Sequence, residues 1–99
     1  MDPNEVNDAI KFAYNASSSV HTAYSLMAML DSSILPLETR QNIARGSGET
    51  TLTGLSQLME LASTKYSSFP VSRIIESDIT QAQARLRAQI TFLLPPSSS

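Results

Sequence analysis

The sequence predicts an all-α domain, and three observations carry that reading. Apolar residues recur at alternating spacings of 3 and 4 along three long stretches of the chain. Proline stands where helices begin or break, at Pro3, Pro36 and Pro70. No stretch of useful length alternates apolar and polar residues at the period of two that a strand shows. A chain of 99 residues is one domain. The expected architecture is a compact, antiparallel bundle of four helices at about 3–31, 36–45, 50–66 and 71–94, which dimerisation could complete. Residues 1–94 make the single helical domain. Residues 95–99 read as a disordered Pro/Ser tail or the start of a linker.

The first helix is announced by Asp2-Pro3-Asn4-Glu5. Asp2 supplies a cap acceptor, Pro3 fits the first helical position, and Glu5 stands three residues after the cap. Val6, Ile10, Ala13, Ser17, Val20, Tyr24 and Met27 then form a seam at spacings of 4 and 3. Asp31-Ser32-Ser33 ends this helix. Pro36 starts a short second helix, with Leu37 and Ile43 facing the core. Gly46 sits where a left-handed helix cap belongs, and Gly46-Ser47-Gly48 reads as the clearest loop. In the third helix Leu52, Leu55, Met59, Ala62 and Tyr66 make the stripe, widened by Leu58 and Leu61. Gly54 lies inside it, at a position that would permit close helix approach. Pro70 pushes Phe69 out of the helical region. The fourth helix, with Ser68 or Ser72 as candidate caps, carries Ile75, Ile79, Ala82, Leu86, Ile90 and Leu93.

Composition excludes several chemistries. There is no Cys, which removes disulfides, thiolate metal sites and cysteine nucleophiles. The single His21 stands one residue off the first seam, at the edge of a packed face, with no ligand spacing around it. Gly46-Ser47-Gly48-Glu49-Thr50 superficially opens a helix as a phosphate-binding loop does. The lysine of that motif is replaced by Glu49, and its first glycine by Ile43, so the loop would repel phosphate. Serine is abundant, but no base and orienting group accompany it. The expectation is a protein that is not an enzyme and takes no cofactor, metal or small-molecule substrate. Residues 12–30 carry no formal charge but include seven Asn, Ser, His and Thr side chains, too polar for a membrane span. No secretory signal pattern is present at residues 1–10, so the expected location is intracellular and cytoplasmic.

Charge and patterning point to partners. Charged residues make up 16% of the chain, against about 25% in ordinary domains. Beside its seam, the first helix carries Ala9, Ala16, Ser18, Ser19 and Ala23, where a water-facing helix would show Glu, Lys and Arg. Small uncharged residues permit close approach at little entropic cost. These five are the candidate interface, covered by a second copy or another protein. Of Phe92 and Leu94, one should be left for a partner. The function read from these features is helical self-association in a scaffold, assembly or adaptor role, of viral or phage type. The alternative is a helical dimer that binds RNA or DNA backbone through Arg40, Arg45, Arg73, Arg85 and Arg87, although the net charge is −2.

Thr22-Ala23, Pro36, Arg40 and Val71-Ser72-Arg73, in a short helical chain that ends in Pro and Ser, resemble the layout of the small double-stranded-RNA silencing suppressors of insect nodaviruses. That resemblance implies a dimer whose helices lie along a duplex, and it is the source of the nucleic-acid alternative.

Overall fold

A computed structural model of the chain describes residues 2–95. Helix α1 spans Pro3–Leu30, α2 Leu37–Ile43, α3 Glu49–Ser63 and α4 Val71–Leu93. Between α2 and α3 the chain stays helical through a π turn at Ala44–Gly48. The described residues contain no strand, so the all-α class holds. The Pro/Ser tail lies, beyond Pro95, outside the described residues.

The separation of the second and third helices is corrected. Residues 37–63 form one unbroken helical run, so three long runs build the molecule where four helices were expected. No residue among those described has positive φ, so Gly46 is not a left-handed cap. Proximity is what requires glycine in this segment. A Cβ on Gly48 would lie 2.9 Å from Ile90 Cδ1 and 3.2 Å from Ile90 Cγ1. The π turn accommodates an extra residue in the helix and sets the Gly48 backbone directly against α4. Gly54, expected to permit close approach, would meet nothing within 4 Å.

Other local expectations resolve one by one. Asp2 caps α1, its Oδ1 accepting from the Asn4 N–H at 3.0 Å, and Pro3 occupies the first turn. Helix α4 begins at Pro70 without a side-chain cap. Ser72, a candidate cap, is instead buried and donates its hydroxyl to the Tyr66 carbonyl at 2.6 Å. Leu37 is 53% exposed rather than facing the core, because α2 is short and offers no buried side chain. His21 faces solvent rather than a packed edge.

Contacts fix the directions of the helices. Tyr66, just past α3, reaches Asp8 and Phe12 near the start of α1. Thr51 and Gly54 share a small cleft with Ser18, Ser19 and Thr22, so α3 runs antiparallel to α1. Gln83 Nε2 donates to Ser56 Oγ at 3.0 Å, and Gly48 meets Ile90, so α3 is antiparallel to α4 as well. Helices α1 and α4 therefore lie parallel. Gln41 Nε2 donates to the Leu93 carbonyl at 2.9 Å and holds α2 to the end of α4.

The core is continuous, with Phe12, Leu26 and Leu30 from α1, Leu52 and Leu55 from α3, and the whole anticipated α4 stripe. Its extent is large for so thin a molecule. The principal extents are 51 × 31 × 17 Å and the Cα radius of gyration is 15.6 Å, against about 13 Å expected for a compact domain of this length. No helix among the described residues is long and apolar enough to cross a membrane.

Candidate functional site

The core face of α1 differs from the expected seam by one residue. The buried line is Ala9, Phe12, Ala16, Ala23, Leu26 and Leu30, with Ser19 half-buried between Ala16 and Ala23 and Met27 buried beside Leu26. The expected seam lies about 100° round the helix from it. Its members Val6, Ile10, Ala13 and Ser17 border α4, while Ala13, Val20 and Tyr24 pack against the edge of the core and Met27 is buried in it. Both registers offer enough apolar surface to bury. Phe12 decides between them, because Tyr66 stacks on it with ring centroids 4.3 Å apart and planes at 14°.

This rotation creates the candidate site, a groove of about 500 Å³ between the N-terminal halves of α1 and α4. Val6, Ile10, Ala13, Tyr14 and Ser17 form one wall, and Val71, Ile74, Ile75 and Asp78 the other, with Phe69 at its end. Ala9 and Ile75 are buried at its floor. Four large apolar side chains stand out of it: Ile10 at 48% exposure, Tyr14 at 75%, Val71 at 39% and Ile74 at 63%. Asp78 is the one formal charge among the lining residues. Single exposed apolar residues are ordinary, but contiguous ones along a groove mark a binding surface.

The expected interface residues fall in two places. Ala9, Ala16 and Ala23 are buried in this chain's own core, where their small size lets α1 approach its neighbours closely. Ser18 is exposed and Ser19 half-buried, beside a small cleft on the α3 side. Of the five, Ala9 alone reaches the groove. At the far end of α4, Phe92 is 88% exposed while Leu94 is half-buried against the core, so Phe92 is the side chain left outside.

The five arginines are spread over α2, the π turn and α4. Arg40 donates Nε to the Leu35 carbonyl at 3.1 Å, and Arg45 donates to Asn42 Oδ1 at 3.4 Å. Arg73 lies at the start of α4, about 18 Å along the helix from Arg85. Arg85 stands 5.8 Å from the centroid of the Tyr24 ring on α1, while Arg87 points about 200° away around α4.

A polar cluster closes the opposite side of α1. The Tyr66 hydroxyl donates to Asp8 Oδ2 at 2.9 Å, and Lys65 Nζ lies 3.4 Å from the same oxygen. The Tyr66 hydroxyl, helped by Lys65, holds the Asp8 carboxyl below its ordinary value, and Tyr66 and Asp8 raise Lys65. No group of three His, Cys, Asp or Glu suited to a metal occurs among the described residues. No family model, curated protein or solved structure matches the chain.

Proposed function

We propose that this protein is a non-enzymatic helical interaction module that self-associates, in a scaffold, assembly or adaptor role. One observation carries the reading: Ile10, Tyr14, Val71 and Ile74 stand exposed along one nearly charge-free groove between two parallel helices. Two neighbouring helices with an apolar furrow between them fit a further helix laid into the furrow. Tyr14 adds a rigid aromatic of the kind that dominates binding energy. A thin slab of three helical runs also gains more from being covered than a sphere of equal mass would, since more of its apolar surface lies at the edge.

The test is solution mass by light scattering, at low and high salt, for the unaltered chain and for Tyr14→Arg and Ile74→Arg. Both positions face solvent, so the folded helix content should be kept. The unaltered chain should be a dimer or larger at both salts, because apolar burial is not screened as ion pairs are. Each arginine variant should shift toward monomer. An unaltered chain that stays monomeric to high concentration would end the reading.

A further inference from the structure

Helix α4 carries a second seam, on the exposed flank that borders α1. Val71, Ile74, Asp78, Gln81, Arg85, Ala88 and Phe92 recur at spacings of 3, 4, 3, 4, 3 and 4. All seven are exposed, although that spacing is the one that buries residues between paired helices. Their chemistry is symmetric end to end. Val71 and Phe92 are apolar and lie equally far from the midpoint between Gln81 and Ala82. Asp78 and Arg85 carry opposite charges and are symmetric about the same point. Ile74 and Ala88 are symmetric about Gln81 itself, one half-residue away.

We infer that this seam docks against α4 of a second copy, antiparallel, with the twofold axis passing near Gln81. The inference rests on the self-association reading and names its partner and register. In that arrangement Asp78 of each copy faces Arg85 of the other, twice, and Phe92 faces Val71 twice. Ile74 then meets Ala88. A parallel pairing about an axis along the helices sets Asp78 against Asp78 and Arg85 against Arg85, so charge selects the antiparallel form. Neither Asp78 nor Arg85 has an ion-pair partner among the described residues, and Arg85, which lies over the half-buried Tyr24 ring, keeps its charge unpaired. The seam from Val71 to Phe92 is about 32 Å long. With the adjoining wall of α1 it is two helices wide, which brings the covered area to the order of the ~800 Å² per partner of a stable interface. The groove lies at each end of this surface, so each copy's Phe92 reaches the other's apolar furrow at Val71.

Charge reversal tests the register. Asp78→Arg alone and Arg85→Asp alone each replace two attractions by two repulsions, and each should weaken dimerisation about tenfold or more in sedimentation. An equimolar mixture of the two variants restores both opposite-sign pairs and should form the heterodimer, and the chain carrying both changes should form a homodimer again. The chain contains no Cys, so introduced cysteines report geometry directly. A short bis-maleimide should join Val71→Cys chains to Phe92→Cys chains. Val71→Cys chains that join to each other would overturn the antiparallel order. A dimer indifferent to both single reversals would overturn the register and leave self-association standing. An unaltered chain that is monomeric would remove the self-association reading together with this one.

Discussion

Tyr66 lies just beyond α3, with its ring stacked on Phe12 and its hydroxyl donated to Asp8. The ring sets the register of α1, and the hydroxyl gives the contact a dependence on pH. Asp8 titrates below its ordinary value of 3.8 in the folded chain, chiefly because it accepts from Tyr66. Its contribution is therefore complete above that value and is lost as pH falls through the folded one. Lys65 is held above its ordinary value of 10.5, first by Tyr66 and then by Asp8. That contribution is complete below 10.5 and is lost as pH rises through the folded value. The cluster is fully formed across the neutral range. Tyr66→Phe keeps the stack and removes the donor. Its melting temperature should fall below that of the unaltered chain at neutral pH, and the two curves should converge as the pH falls below 3.8 and Asp8 takes up its proton. Curves that remain parallel throughout the acid range would show that the hydroxyl leaves Asp8 unperturbed.

At the scale of helices, the π turn explains why one glycine is demanded and another is not. All three glycines have ordinary helical backbone angles, so an alanine is strained at none of them. At Gly54 a Cβ meets open space, and Gly54→Ala should stabilise the fold by about 1 kcal/mol in urea titration. At Gly48 the same gain in helix propensity is opposed by Ile90, which must move in a core where it is 5% exposed. Gly48→Ala should therefore gain less than Gly54→Ala, or destabilise; an equal gain would mean the π turn has slack against α4. The glycines were legible in the sequence as a break, because Gly-Ser-Gly is ordinarily a loop. What overrode that preference was α4, through a contact 42 residues distant in the chain. The α4 stripe was legible in full, since every member is Ile, Leu or Ala at helical spacing. The α1 stripe was legible only in part, at Met27, since two adjacent registers were both apolar and the stack of Tyr66 on Phe12 favours the other one. The second seam of α4 was hidden by its mixed chemistry, although its spacing was present in the sequence from Val71 to Phe92.

For the whole molecule, thinness is the governing property. A chain spread over 51 × 31 × 17 Å buries less of its apolar surface than a compact domain does. It leaves Tyr14, Ile74 and Phe92 each more than 60% exposed along the α1/α4 face. If a second copy covers that face, part of the stability of the fold is intermolecular, and it must then vary with protein concentration. Association that favours the folded chain raises its stability by mass action, by about 0.7 kcal/mol per chain for each tenfold rise in concentration above the dissociation constant, because the free copy grows only as the square root of the total. For a domain near 100 residues, 1 kcal/mol moves the melting temperature by about 4–8 °C. Melting followed by circular dichroism from ~1 μM to ~100 μM should therefore show a midpoint that climbs by several degrees. The climb should shrink in Asp78→Arg, whose helices fold but whose copies repel. A midpoint that stays constant over that range would mean that the three helical runs are stable without a partner, and that the exposed face is not held by a second copy.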